Sequence, residues 1–302
     1  VLIAGPTASG KSALAVAIAE RLGGVVVNAD SMQVYEGLRI LTARPSDEDL
    51  ARAEHRLYGH VSPESPYSTG AYVRDAAAVL AEIGGRGCLP IVCGGTGLYF
   101  RALLGGLDDM PAVEPQVRER WRGRMAEEGP ARLHAELALR DPEAAARIRP
   151  GDAQRILRAL ELGETTGAPL ADLQRRQGEA VVDAARAVKI VLTPPRDLLR
   201  ERIARRFDQM MAGGALEEAR AFLARPTARE GLAAKAIGLP ELGAHLAGEL
   251  TLAAAVERAV TRSRQYAKRQ DTWFRHQFGA DWRRFDDPAE IDLPRLLQEL
   301  GT

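Results

Sequence analysis

Four short apolar runs, each closing on a turn, set the frame of the chain. Val1-Leu2-Ile3-Ala4 ends at Gly5-Pro6, and Val25-Val26-Val27 ends at Asn28-Ala29-Asp30-Ser31. Leu89-Pro90-Ile91-Val92-Cys93 ends at Gly94-Gly95-Thr96-Gly97, and Val188-Lys189-Ile190-Val191-Leu192 stops at Pro194-Pro195. Nearly continuous apolar runs bounded by turn residues read as strands buried on both faces, as in a parallel sheet. Between them the apolar spacing lengthens to a helical period, over 13–19, over 69–83 before Gly84-Gly85, and from Leu98 onward. Strands alternating with helices predict an α/β core. Residues 36–70 read as loop, punctuated by Pro45, Pro63 and Pro66.

Near Asp108-Asp109-Met110-Pro111 the pattern changes. Residues 112–180 carry Ala, Glu and Arg at helical spacing and no convincing strand, with breaks at Gly129-Pro130, Pro142, Pro150-Gly151 and Gly167-Ala168-Pro169. A helical insertion over 111–186 is expected, splitting a core made of 1–110 and 187–302. Helices fill the remainder, broken near Gly213-Gly214, Pro226, Gly238 and Gly248. No internal repeat is evident.

The first turn carries chemistry. Gly5-Pro6-Thr7-Ala8-Ser9-Gly10-Lys11-Ser12 is the full G-x-x-x-x-G-K-[ST] pattern between a strand and a helix. Successive N–H groups curl into a nest, the helix N-terminus adds partial positive charge and Lys11 a full one, so the motif holds a diphosphate or triphosphate. Ser12 can offer its hydroxyl to a Mg²⁺ bridging two phosphates. Asp30 falls at the C-terminal end of the second strand, where open parallel sheets place ligands; it also suits a helix N-cap, as does Ser31.

The helix around 256–276 separates into faces at about 100° per residue. Val256, Ala259, Val260, Tyr266, Ala267 and Phe274 share the side expected to be buried. Arg258, Arg262 and Arg269 flank it on one edge; Arg264, Lys268 and Arg275 flank it on the other. Trp273, at the border, offers a flat surface on which a base could stack. Formal net charge is zero, 41 cations against 41 anions, which alone argues against a polyanionic partner. Its distribution does not: residues 258–284 hold eight Lys or Arg and only Asp271 and Asp281 as acids. A polyanion feels the local patch, because screening limits its reach to about 10 Å. An arginine-rich surface over a core tryptophan remains the alternative.

The other features are bounding. No apolar run approaches the ~20 residues that span a bilayer. The chain opens inside a strand at Val1, so a leader or starting methionine is expected to have been removed. Cys88 and Cys93, an odd number apart, should point to opposite faces of a strand, arguing against a disulfide or a shared metal and for a reducing, cytosolic setting. His55, His60, His134, His245 and His276 form no ligand pattern. Among phosphate-loop chemistries, a hydrolase needs a second strand ending in an acid, and Asp30 is the only such acid expected. A small-molecule kinase and a group transferase that grips a diphosphate leaving group stay open.

Seven stretches, in order and covering nearly the whole chain, resemble the tRNA dimethylallyltransferases, also called tRNA isopentenyltransferases. They are GPTASGKS (5–12), NADSMQVY (28–35), TARP (42–45), GGTGLYFRALL (94–104), PQVR (115–118), DAQRILRALE (152–161) and RQYAKRQDTWFR (264–275). The resemblance implies a P-loop NTPase-like parallel sheet core with an inserted helical domain and C-terminal helices. It implies transfer of a dimethylallyl group from dimethylallyl diphosphate to the exocyclic amine of the adenosine 3′ to a tRNA anticodon, with Mg²⁺ and no NTP consumed, by a cytoplasmic monomer. Carried over by position, Asp30 is the general base and residues 5–12 bind diphosphate. Ser31, Met32 and Gln33 contact the target nucleotide; Thr96, Arg118, Gln154, Arg155, Ile156, Leu157 and Arg158 contact tRNA. So do Lys268, Arg269, Gln270, Asp271, Thr272, Trp273, Phe274 and Arg275. Lys235 and Gly238 fall in a further tRNA-contacting stretch, but there the family's Ile/Val-Gly-Tyr-Arg pattern is replaced by Ile237-Gly238-Leu239-Pro240, which puts a stacking or phosphate contact in doubt. An adenylate isopentenyltransferase, which prenylates a free nucleotide, is the nearest rival; the basic patch favours tRNA.

Overall fold

The computed structural model describes residues 1–106, 110–111, 113–173, 178–227 and 230–301. The chain divides into two compact units, Val1–Leu103 with Val181–Thr302, and Leu104–Ala180. The sequence reading set these joints a few residues later, and Asp108 and Asp109, at the first of them, lie outside the described residues.

The larger unit is built on six parallel strands: β1 (Leu2–Ala4), β2 (Val25–Asn28), β3 (Glu54–Arg56), β4 (Pro90–Gly94), β5 (Lys189–Leu192) and β6 (Arg283–Phe285), in the order β3-β2-β4-β1-β5-β6. Ile3 at the centre pairs with Cys93 on one side and Ile190 on the other. Four of the strands are the apolar runs. The two edges, Glu-His-Arg and Arg-Arg-Phe, were not expected, and the cause is physical. Edge strands tolerate charged side chains, which also guard against edge-to-edge pairing, so they carry no apolar signature. β6 corrects one inference outright: it delivers Asp286 to a second strand terminus, where Thr193 Oγ1 donates to its carboxylate at 3.0 Å. A shortage of acids therefore carries no weight against hydrolysis. The 36–70 segment also holds α2 (Asp47–Arg52), started by a Ser46/Asp49 capping box.

One face of the sheet is covered by α1 (Lys11–Leu22) and the C-terminal α13 (Leu293–Gly301), burying Leu14, Ile18, Ile91, Ile190 and Leu296 in one cluster. The helices α3 (Thr69–Gly85) and α4 (Gly97–Leu103) flank β4 in sequence, and their Tyr72 and Tyr99 rings stack at 3.7 Å. A second cluster joins the 34–41 segment to α9 (Arg196–Ala212), α10 (Ala215–Leu223), α11 (Leu239–Leu246) and α12 (Leu252–Gln277) through Tyr35, Leu38, Ile203, Phe207, Phe222, Leu242 and Ala259. Leu239, the departure from the family pattern, is buried in this cluster.

The smaller unit is helical: α5 (Pro115–Arg140), kinked at Gly129 (φ 78°), α6 (Pro142–Arg147), α7 (Ala153–Thr166) and the short α8 (Leu170–Leu173). Its centre is Trp121, packed with Leu133, Leu137, Ile156 and Leu160; the indole N–H donates to Glu164 at 2.8 Å. Among the described residues no helix is long and apolar enough to cross a membrane.

Candidate active site

Because all six strands run parallel, the turns after β1, β2 and β4 meet at one edge of the sheet. After β1 the chain needs backbone that few residues adopt: Ala8 sits at φ 64° and Gly10 at φ 92°. Lys11 then opens α1, whose N-terminus has no side-chain cap, leaving first-turn N–H groups available to an anion. Lys11 Nζ donates to the Pro6 carbonyl at 3.1 Å, folding back over the loop. Burial lowers the Lys11 pKa, partly opposed by Cys93 and Asp30 and reinforced by Arg206. The Ser9 hydroxyl is buried without a hydrogen-bond partner; Ser12 is exposed at the first turn of the helix.

Asp30 follows β2 and is held from below. Asn28, fully buried, accepts the Asp30 N–H at 2.8 Å and donates to the Asp30 carbonyl at 3.0 Å and the Leu57 carbonyl at 3.0 Å. Asp30 Oδ1 accepts the Met32 N–H at 2.9 Å. That is an Asx turn, and no helix follows, so the N-cap alternative falls away. Asp30 Oδ2 faces the glycine turn after β4, close enough that a Cβ on Gly95 would lie 3.2 Å from it. Thr96 ties the two turns together: its N–H donates to Ala29 O at 3.0 Å and its Oγ1 accepts the Ser31 N–H at 2.9 Å. Gly94 packs against the Ala29 backbone, leaving no room for any side chain.

Two further helices complete the site. From α9, Arg206 donates to Thr7 Oγ1. Burial lowers its pKa and the charge of Asp30 opposes this, so Lys11, Arg206 and Asp30 share one electrostatic neighbourhood. From α12, the buried Gln270 accepts the Thr7 N–H at 2.9 Å and donates to the Gly95 carbonyl at 2.9 Å. Tyr266, with its phenol pushed up by burial and then by Asp30, lies beside Thr96. Burial likewise pushes the Cys93 thiol up to about 12, with Lys11 opposing. Cys93 lies in β4 and Cys88 before it; both are free.

The sequence-expected RNA contacts divide by accessibility. Lys268, Arg269, Thr272 and Arg275 are exposed on α12, as are Gln154 and Arg155 on α7 and Lys235 before α11. Ser31, Met32, Gln33, Thr96, Arg118, Leu157, Arg158, Asp271 and Trp273 are half-buried. Gln33 Nε2 donates to the Thr42 and Ala43 carbonyls, both at 2.8 Å. Burial lowers the Arg158 pKa, and Arg118 lies near enough to add to that. Ile156 and Phe274 are fully buried in packing contacts and offer no side chain to RNA. Gly238, at φ 99°, is buried against Leu41 and Phe207 and donates its N–H to Glu241 at 2.9 Å, so it is a structural glycine. Gln270 likewise faces inward. The Trp273 indole lies over Gly97, which partly covers the surface expected to receive a base.

The basic patch is also thinner than its composition. Arg262 pairs with Glu241, Arg275 with Asp271 and Arg283 with Glu299, while Arg284 donates to the Phe274 and Phe278 carbonyls. Arg264 and Lys268 instead line a groove of about 430 Å³ between α9 and α12, with Arg196 and Arg200 on its opposite wall. Among the described residues no cluster of three or more His, Cys, Asp or Glu could hold a metal. Lys189 is buried and paired to Asp281 at 2.6 Å, a structural cation.

A parallel sheet, a glycine-lysine loop after β1 at its C-terminal edge and a carboxylate after β2 at the same edge define an α/β protein of the phosphate-loop class. Two family models match: IPP transferase over residues 33–277 and isopentenyl transferase over residues 1–63. The chain belongs to the IPP transferase family. It is 53% identical to a tRNA dimethylallyltransferase of Rhizobium meliloti, covering 96% of each chain, and 52% identical to one of Agrobacterium fabrum, covering 94% of this chain and 95% of that one. Among solved structures it is similar to the full-length tRNA isopentenylpyrophosphate transferase of Bacillus halodurans (35% identity, TM-score 0.68, 99% of this chain and 93% of that one). It is also similar to a eukaryotic dimethylallyltransferase acting on tRNA (26% identity, TM-score 0.82, 98% and 77%).

Proposed function

We propose that this protein is a tRNA dimethylallyltransferase: it moves the dimethylallyl group of dimethylallyl diphosphate onto the exocyclic amine of the adenosine 3′ to the anticodon and releases diphosphate. The observation that carries this reading is the convergence of Lys11, Arg206 and Asp30 at one sheet edge. It couples cations for a departing anion to a base for an incoming amine.

The nucleophile is an aromatic amine whose lone pair is delocalised into the ring. Its proton becomes acidic only as the new C–N bond forms, so a carboxylate can remove it then. Asp30 Oδ2 is the oxygen left for this, since Oδ1 is engaged by Met32 N–H. Such help is typically worth about 10²–10⁴-fold. As the C–O bond breaks, negative charge grows on the diphosphate; the loop N–H groups, Lys11 and Arg206 stabilise it. Ser12 Oγ and the diphosphate oxygens suit Mg²⁺, which commonly binds through one or two protein ligands plus phosphates and water. When bound, the ion would neutralise leaving-group charge. The adenine must leave the anticodon-loop stack to reach Asp30; Lys268 and Arg269, exposed on α12, are the cations this reading assigns to the RNA backbone.

The rival, prenylation of a free nucleotide, needs no such exposed cations. Supplying dimethylallyl diphosphate with either unmodified tRNA or AMP separates the two: prenyl transfer to tRNA alone is expected, and transfer to AMP at a comparable kcat/KM would overturn the choice of acceptor.

A further inference from the structure

Gln270 lies in the stretch whose likeness to the family suggests contact with RNA, yet its amide is turned the other way. It is buried, and both ends of the amide are engaged: Oε1 takes the Thr7 N–H at 2.9 Å and Nε2 gives to the Gly95 carbonyl at 2.9 Å. Thr7 belongs to the phosphate loop after β1. Gly95 belongs to the turn after β4, and a Cβ built on it would meet both the Gln270 amide and, at 3.2 Å, Asp30 Oδ2. These two turns come from adjacent strands, and the side chain bridging them comes from a helix 175 residues beyond Gly95. Three residues along the same helix, Trp273 lies over Gly97 and holds the far end of the same turn.

The geometry points to Gln270 as the positioning residue that fixes the phosphate loop in register with Asp30. The inference rests on the proposed transfer reaction. An amide does this where neither a cation nor an apolar residue could, because one partner is a donor and the other an acceptor. With Thr7 N–H committed to Gln270, the phosphate-facing N–H groups are those further along the loop and at the start of α1. The leaving group and the base are thus set by one bridge, and displacing either by about 1 Å costs on the order of 10²-fold in rate. The exposed neighbours Lys268 and Arg269 stand on the same rigid helix, so the cations offered to RNA and the bridge inside share one scaffold.

Two variants test this. Gln270→Met keeps length and removes both hydrogen bonds; Gln270→Glu keeps the acceptor for Thr7 and removes the donor to Gly95. Three quantities are read on the full chain: kcat with saturating tRNA and dimethylallyl diphosphate, Kd for Mg²⁺-pyrophosphate, and Kd with its salt slope for an anticodon stem-loop. Both variants are expected to lose about 10–100-fold in kcat. The Met variant should also bind pyrophosphate more weakly than the Glu variant corrected for its added charge by a salt titration. Stem-loop affinity should stay within about twofold with an unchanged salt slope, since no phosphate contact is lost. A rise in stem-loop Kd with parental kcat at saturation would make Gln270 an RNA contact and overturn the inference. So would parental kcat and pyrophosphate affinity in both variants, or a fall in all three readouts together with the melting temperature, which is what a packing residue gives. Failure of the parent protein to prenylate tRNA, with pyrophosphate binding still lost in the Met variant, would count against the reaction and not against the bridge.

Discussion

Asn28 grips Asp30 by its backbone on both sides, accepting its N–H at 2.8 Å and donating to its carbonyl at 3.0 Å, while a third bond anchors Asn28 to Leu57 at 3.0 Å. The carboxylate proposed as base is therefore aimed by a buried amide two residues before it. Asn28→Ala leaves the Asp30 N–H and the Leu57 carbonyl without that partner, at about 1–3 kcal/mol of stability. A fall of about 10–100-fold in kcat is expected, with stem-loop Kd unchanged. Unaltered turnover in a folded Asn28→Ala protein would show that Asp30 does not need this support.

Lys11 is held against its own solvation. Burial lowers its pKa below the ordinary 10.5, so below the lowered value the folded state carries a charge that the unfolded chain holds more comfortably. That cost is present at neutral pH and fades as pH rises from the lowered value toward 10.5, where both states become neutral. Lys11→Met should consequently raise Tm at pH 7 while abolishing turnover. The gain should vanish near pH 10.5. A Tm that falls, or turnover that survives, contradicts the account of this lysine.

The pair Lys189–Asp281 is asymmetric, with one buried cation and one half-exposed acid. A hydrogen bond from Lys189 holds the Asp281 carboxyl below its ordinary value, so the contribution is complete above that value and is lost as pH falls through the lowered one. Asp281→Asn leaves a buried ammonium without its counter-charge, held only by the Ala184 carbonyl at 2.8 Å, and should cost about 1–3 kcal/mol. Lys189→Met, which leaves only an exposed carboxylate behind, should cost less. Urea midpoints at pH 7 give the comparison; the reverse order would rule out the pairing as the cause.

The four core strands and the phosphate loop were legible because each is an apolar run closed by turn residues. The edge strands β3 and β6 were not, since three residues that are mostly charged leave no period to read at a sheet edge. Arg206 was missed, and Gln270 was expected to face RNA instead of the loops, for another reason. Both sit within helical stripes that are otherwise buried: Leu199, Ile203 and Met210 on α9, and Ala259, Ala267 and Phe274 on α12. A polar residue in such a stripe signals a partner that the sequence does not name, because Thr7 and Gly95 lie in distant segments. Composition overstated the basic patch for the same reason: the acids that neutralise Arg262 and Arg283, Glu241 and Glu299, lie outside the stretch that was counted.

That difference makes the patch testable by salt. Lys268→Ala and Arg264→Ala should each weaken stem-loop binding and flatten the slope of log K against log salt by about 0.7–0.9 per lost phosphate contact. Arg283→Ala, paired to Glu299, should leave the slope near the parent value. Equal slopes for all three would mean that the α9–α12 groove does not hold RNA phosphates.

The central claim is that the phosphate loop grips a leaving group and not a phosphoryl donor. The direct measurement is the mass of the nucleosides digested from unmodified tRNA after incubation with protein, Mg²⁺ and dimethylallyl diphosphate in the strict absence of NTP. A prenylated adenosine, absent with Asp30→Ala, is predicted. Unmodified adenosine, or a product formed only once ATP is added, would contradict it.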